Sequence, residues 1–292
     1  MREPPLTSSE PRITRDGIRI HPREDFAGMH HAGRIAAEIL DAVAPMVAPG
    51  VGTGEIDARI TELVTEAGAI SATIGYRGYR HASCISVNHV VCHGIPGSAV
   101  PTGRAEAARA DDCLRDGDIV NIDVTVIVDG WYGDSSRMYV AGTPKPYALR
   151  LIRVTHEALM RGIAAVRPGA TFGDIGHAIQ SYVEGERMSV VRDFCGHGLG
   201  RVFHAPPNVL HFGRPGTGPV LEEGMFFTIE PMVNLGRPET RVLGDEWTAV
   251  TRDRSLSAQF EHSVGVTATG HEVFTLSPRG VFFPDLAAVG AD

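Results

Sequence analysis

The chain repeats itself, and no other feature limits its architecture as strongly. VAPGVGTGEIDARITELV, from Val47 to Val64, returns as VRPGATFGDIGHAIQSYV, from Val166 to Val183, with Val-x-Pro-Gly, Gly-acid-Ile and an i, i+4 apolar stripe all at one offset of 119 residues. Further on, VCHGIP from Val91 and VFHAPP from Val202 share Val-x-His-x-x-Pro, and NIDVTV from Asn121 and TIEPMV from Thr228 share Ile-acid before an apolar strand. Three matches in one order predict two related αβ halves, about 25–142 and 143–276, with extra loop in the first accounting for the shrinking offset. Together they make a single domain over 16–292, preceded by a Pro-rich stretch at 1–15 that reads as a mobile extension. The repeat pairs His93 with His204, and Asp123 with Glu230 across an approximate twofold axis, a natural place for a shared ion.

Within the first half, DGDIVNIDVTVIVDGWYGDSSRMYV, Asp116 to Val140, reads as a buried β-hairpin. Ile119 to Val128 is rich in β-branched residues, Asp129-Gly130 is a strong hairpin-turn signal, and Trp131 to Val140 is the returning strand. A two-residue turn sets Val128 opposite Trp131, so that Asp134 faces Thr125 and Asp123 faces Ser136. Both aspartates then share one face as diagonal neighbours, about 7–8 Å apart at the backbone. A three-residue loop would break this parity, and a solvated polar face is the alternative for a generic hairpin. Ahead of the hairpin, apolar spacing predicts amphipathic helices from Asp25 to Val47 and from Thr53 to Ala67, and Pro96 to Asp112 reads as a surface loop.

The second half adds acids in similar settings, Glu230 in GMFFTIEPMV and Glu261 in SAQFEHSVGV. A buried carboxylate costs several kcal/mol unless it is paired or bound to a metal. Lys and Arg are scarce beside these runs, with Arg137 the nearby candidate, so a metal is the simpler compensation. His197, in CGHGLG, is expected in a Gly-rich turn facing a cleft. One imidazole with four carboxylates is an oxygen-rich donor set that suits Mn, Fe(II) or Co, with Zn also admissible, rather than a thiolate zinc site.

Composition narrows the rest. A 43% hydrophobic content over 292 residues supports a sizeable core, and a formal charge of −8 without basic runs argues against nucleic-acid binding. Four cysteines without CxxC spacing suit a reducing compartment. With no apolar h-region at the start and no run of the ~18–20 apolar residues a membrane span needs, the chain is expected to be cytoplasmic and without membrane partners.

These motifs carry a resemblance. VVCHGIP, NIDVTVIVDGWYGDSSRM, CGHGLGRVFH, FTIEPMVN and SLSAQFEHSV occur in the order found in type I methionine aminopeptidases, and the chain resembles that family from His21 to Leu276. The resemblance implies an α+β pita-bread (creatinase/aminopeptidase) fold, internally duplicated, with a curved antiparallel sheet and helices on its outer face. It implies two divalent ions held by Asp123, Asp134, His197, Glu230 and Glu261, with Asp134 and Glu261 bridging. It implies attack of a metal-activated hydroxide on the first peptide bond of a nascent chain, with Glu230 relaying a proton. His204 would contact the scissile amide or the intermediate, and His93 the substrate backbone or a shuttled proton. Tyr76, Tyr79, Cys84, Phe203 and Trp247 would line a methionine pocket, restricting cleavage to chains whose second residue is small. Asn88, Val90 and Ser257 would hold a monovalent cation. The expected partners are nascent polypeptide N-termini and, transiently, the ribosome, for a monomeric enzyme.

The segment from Gly97 to Cys113 is longer than expected for compact bacterial members, and is read as shading the cleft or touching a partner. Three other readings compete: an Xaa-Pro peptidase on the same fold, a non-catalytic binding protein of the fold, and a structural zinc site from Cys92, His93, Cys195 and His197. The last matches no common zinc spacing and leaves the strand acids unexplained. The binding proteins of the fold lose ligands, and this chain keeps all five.

Overall fold

A computed structural model describes residues 12–99, 111–281 and 284. The proposed extension therefore lies outside the described residues up to Pro11, as does the 100–110 part of the long loop. The chain begins with a short antiparallel pair, β1 (Arg12–Ile13) and β2 (Arg19–Ile20), followed by α1 (Asp25–Val43) and α2 (Thr53–Glu66). Then come β3 (Ile70–Ser71), β4 (Ser83–Val87), β5 (Val90–Cys92), β6 (Asp118–Val128) and β7 (Trp131–Ala141). A second helix pair, α3 (Pro146–Ala164) and α4 (Phe172–Gly185), precedes β8 (Ser189–Val190), β9 (Gly196–Gly198), β10 (Ala205–Val209), β11 (Phe226–Ile229) and β12 (Met232–Asn234). The described strands end with β13 (Thr240–Val242), β14 (Ala249–Thr251), β15 (Ser257–Gln259), β16 (His262–Val266) and β17 (His271–Val273).

The first helix of each pair has 19 residues and the second has 14, and α2 and α4 lie at the 119-residue offset of the repeat. Local chemistry explains their limits. Pro45 stops α1 and turns the chain into a short 3-10 segment, so the helix ends at Val43, about one turn before the expected Val47. Thr171 and Asp174 form a reciprocal capping box at α4, with Asp174 N–H donating to Thr171 Oγ1 at 3.3 Å and Thr171 N–H donating to Asp174 Oδ2 at 2.7 Å. The buried stripe of α1 includes Ile35, Ile39, Leu40 and Val43, as its spacing predicts.

Among the described residues all ladders are antiparallel, and the strands fall into five hydrogen-bonded sets. The longest is the β6–β7 hairpin, which runs unbroken from Val128↔Trp131 to Asp118↔Ala141. Its turn has φ of 51° at Asp129 and 79° at Gly130, the two positive values a two-residue type I′ turn requires. Helix α1 packs directly on β7: a Cβ on Gly133 would lie 2.3 Å from the carbonyl of Ala32, so only glycine permits that approach. One apolar core fills the space between α1, α2 and strands β4, β6 and β7, and another lies under α3 and α4.

The seam between these cores is held by side chains as much as by a ladder. Ser136 and Glu261 form a single antiparallel bridge, with Glu261 N–H donating to Ser136 O at 3.0 Å. Ser135 Oγ donates to Glu261 O at 2.8 Å, and Ser263 Oγ donates to Asp134 O at 2.7 Å. Strand β7 is thus fixed against the start of β16, which places Asp134 beside Glu261.

Candidate metal centre

The strand breaks aim the acids. Glu230 follows β11 and is separated from β12 by Pro231, while Glu261 falls between β15 and β16, so neither occupies a regular ladder position. Asp134 and Asp123 come from the hairpin in the register its turn parity predicts, Thr125↔Asp134 and Asp123↔Ser136. His197 lies on β9, not in a turn as its glycine-rich surroundings suggested. The glycines serve close packing there: a Cβ on Gly196 would meet Thr228 O at 2.4 Å, and one on Gly198 would meet Pro206 O at 2.1 Å.

Asp134, His197 and Glu261 each offer a ligand atom within 4.8 Å of the others. His197 Nε2 lies 3.5 Å from Asp134 Oδ2 and 3.7 Å from Glu230 Oε1, and Asp123 opens onto the same cavity. Asp134 is 3% exposed, Glu261 2% and Glu230 9%. Glu261 Oε1 is buried with no hydrogen-bond partner, a costly state for a carboxylate oxygen that a cation would relieve. His197 Nδ1 lies 3.2 Å from Gly198 O, an acceptor that fixes the proton on Nδ1 and leaves Nε2 free to bind a metal. The donor set therefore fits a divalent cation bound mainly by oxygen.

Electrostatics point the same way. Burial, then the charges of Asp134 and Glu230, hold the Asp123 carboxyl well above its usual range. Burial, then Asp134, does the same to Glu261. Burial pushes Glu230 up to about 7, with His197 opposing and Asp134 adding to the rise. Burial works against the charged form of His197, but its bond to Asp134 and the Glu230 charge outweigh that and raise its pKa. Without a cation, the cluster holds protons that it would release to bind one.

Some of the supporting residues could have been found in the sequence. Thr125 bonds Asp134 Oδ1 at 2.7 Å, and its place opposite Asp134 follows from the hairpin register. Thr228 donates to Glu230 Oε1 at 2.8 Å and accepts from His197 N–H at 3.0 Å, and strand parity alone places it on the Glu230 face. His211 Nε2 accepts from Glu230 N–H at 3.1 Å, and Gln259 Nε2 donates to Glu230 Oε2 at 3.2 Å. Neither has a local signal. Arg137 does not serve the cluster, because it faces the other side of β7 and bonds Asp41 at 2.6 Å.

A cavity of about 1070 Å³ opens from these acids to the surface. It is lined by all of the expected catalytic, pocket and ligand positions, including His93, His204, Tyr76, Tyr79, Cys84, Phe203 and Trp247. On one wall, Trp247 packs 4.9 Å from Tyr79 and 6.2 Å from His93. On the other, His204 lies 4.2 Å from His197 and stacks on Tyr76 at 5.2 Å, with Phe203 at 4.9 Å from Tyr76. Burial, then the charge of His197, lowers the His204 pKa to about 4, and burial lowers that of His93, so both are neutral near pH 7. Phe194 and Met232 also line the cavity and were not anticipated, and Cys195, named only in the zinc reading, lines it too. The Asn88 carbonyl accepts from Ser257 N–H at 2.9 Å, so two of the three positions expected around a monovalent ion are adjacent. Among the described residues, Asp134, His197 and Glu261 are the one compact group of potential ligands. Cys92, His93, Cys195 and His197 do not form a second.

Residues 27–268 match the profile of Metallopeptidase family M24. The chain is 52% identical over 268 residues to a protein named methionine aminopeptidase from Rickettsia prowazekii (strain Madrid E), covering 91% of this chain and 98% of that one. It is 50% identical over 260 residues to the methionine aminopeptidase of Escherichia coli (strain K12), covering 89% and 94% respectively. The crystal structure of methionine aminopeptidase from Rickettsia prowazekii superposes with a TM-score of 0.83 at 53% identity, covering 89% of this chain and all of the other.

Proposed function

The chain belongs to metallopeptidase family M24 and has its pita-bread fold, and from that premise we propose that it removes methionine from the N termini of nascent polypeptides. It is a metal-dependent aminopeptidase, similar over nearly its whole length to proteins of that activity. The observation that carries this reading is one cavity in which a carboxylate and histidine cluster adjoins an aromatic and thiol pocket.

The ions would be held by Asp123, Asp134, His197, Glu230 and Glu261, two to a chain, with Mn, Fe(II) or Co favoured by the oxygen-rich donors and Zn admissible. When bound they supply Lewis acidity, which polarises the scissile carbonyl and lowers the pKa of water. The residues do the remainder. Glu230, steadied by Thr228 and Gln259, takes a proton from the nucleophile and returns it to the leaving amine. His204, neutral and held against Tyr76, hydrogen-bonds the scissile amide. His93, on the opposite wall beside Trp247, contacts the substrate backbone. Tyr79, Trp247, Cys84, Tyr76 and Phe203 enclose the methionine side chain, whose flexible thioether suits aromatic edges and a buried thiol. Aromatic side chains along both walls favour a small second residue.

The domain runs over 16–292 as two related halves, with the metals at their seam. It acts as a monomer in the cytoplasm on chains leaving the ribosome, with a monovalent cation near Asn88, Val90 and Ser257. Chelation followed by readdition of each metal should restore methionine release from Met-Gly-Ser peptides. A preference for Ala-Pro or Gly-Pro peptides would sink the assignment in favour of an Xaa-Pro peptidase, and no activity with any metal would remove the enzyme reading.

A further inference from the structure

Arg77 stands at the mouth of the cavity with no role in the reaction described above. It is exposed, lines the cavity and makes no ion pair with a described residue. Its backbone is held at φ 48° within the tight turn that carries Tyr76, a left-handed conformation that is uncommon outside glycine, asparagine and aspartate. Its guanidinium lies 5.3 Å from the centre of the Tyr76 ring, a cation–π arrangement that orients it without neutralising it. Tyr76 in turn stacks on His204 at 5.2 Å, and His204 lies 4.2 Å from His197. A ladder of rings thus leads from the candidate metal centre to a single surface cation.

Two acids of the rim lie on the opposite wall. Glu246 adjoins Trp247 and Asp193 adjoins Phe194, both on the His93 wall, and the Asp193 carboxylate is engaged by Thr240 Oγ1 at 2.6 Å. Asp16, whose neighbour Gly17 packs against Pro206, lies 3.6 Å from Arg15. Among the described residues lining the cavity, Arg77 is the sole Lys or Arg, in a protein of formal charge −8. Two steps of about 5 Å separate His204 from the guanidinium. An extended peptide covers that distance in about three residues at ~3.3–3.6 Å each.

We propose that Arg77 is a specificity-determining residue that pairs with a carboxylate side chain at the third or fourth position of the polypeptide being processed. The inference rests on the methionine aminopeptidase reading. An exposed pair of this kind is worth little, so the expected preference is about fivefold in kcat/KM, carried by KM. It should fade with salt as screening shortens to about 3 Å at 1 M.

The test uses metal-reconstituted enzyme and C-terminally amidated peptides, Met-Gly-Ser-Ala-Ala against versions with Glu or Lys at the third or fourth position. The ratio of kcat/KM for Glu over Ser or Ala peptides is expected at about five at low salt, near one at high salt, near one in Arg77→Gln and retained in part in Arg77→Lys. A wild-type ratio of one, or a ratio that survives both high salt and Arg77→Gln, overturns the proposal. The salt series on the wild-type enzyme keeps the proposal testable if Arg77→Gln fails to fold. Loss of methionine release from every peptide overturns the activity itself, and this inference with it, whereas equal release from all of them overturns this inference alone.

Discussion

Asp134 and Arg137 sit three residues apart on β7 and are almost equally buried, 3% and 5% exposed, yet their charges meet opposite fates. On the face toward α1, Arg137 bonds Asp41 at 2.6 Å, and the other Asp41 oxygen accepts from Ser277 Oγ at 2.7 Å. That face is balanced by its own residues. On the opposite face, Asp134 adjoins Asp123, Glu230 and Glu261, with His197 the nearest group able to carry positive charge. The comparison separates two reasons for burying a charge. An acid matched within the chain holds the fold together, while acids left unmatched around a cavity hold a place for a cation from outside.

The largest effect should come from the unmatched face. Asp134→Asn is expected to cut kcat/KM on Met-Gly-Ser by at least about 10²–10³-fold, the scale of losing one preorganised charge-stabilising group. Elemental analysis should show reduced metal, while the metal-free fold is no less stable than the parent. On the matched face, Arg137→Met strands a buried Asp41 and should cost about 3–5 kcal/mol in denaturant unfolding of the metal-free protein. Its metal stoichiometry should not change, and a loss of metal there would break the comparison. Thr228→Val, which removes the hydroxyl joining Glu230 to the His197 backbone, should weaken metal affinity about 10–100-fold in competition with a chelator.

The smallest effect is one of pH. The folded pKa of Glu230, about 7, lies above its ordinary 4.5. Its contribution to metal-free stability is therefore present below 4.5 and lost as pH rises through about 7. His204 runs the other way, since its folded pKa of about 4 lies below 6.5, and its contribution is lost as pH falls through about 4. Metal binding must displace the Glu230 proton, so the rise in Tm on adding metal should grow between about pH 5.5 and 8. A metal-induced shift that is flat across that range would be inconsistent with Glu230 as a ligand.

Much of this was legible from local rules. The two-residue Asp129-Gly130 turn sets the parity of the hairpin, and parity puts Asp123 and Asp134 on one face whatever the rest of the chain does. The repeated Val-x-Pro-Gly and apolar stripe anticipated α2 and α4, which match in length and offset. Other features had no local sign. Arg137 reads as a counter-ion for the acids until α1 brings Asp41 to the other side of β7, 96 residues away in sequence. His197 reads as a turn residue because its glycines admit one, and only the close approach of Thr228 and Pro206 shows that they serve a strand. Glu230 and Glu261 look like strand residues, but their ladders break where they occur.

The sequence by itself determined the residue types, their parity on each strand and the two-part plan, because turn geometry and side-chain alternation act over a few residues. Only the tertiary structure decided which acids would be neutralised inside the chain and which would not. That choice depends on desolvation and on partners from α1, β9, β11 and β16, and both arise only when the two cores close around β7.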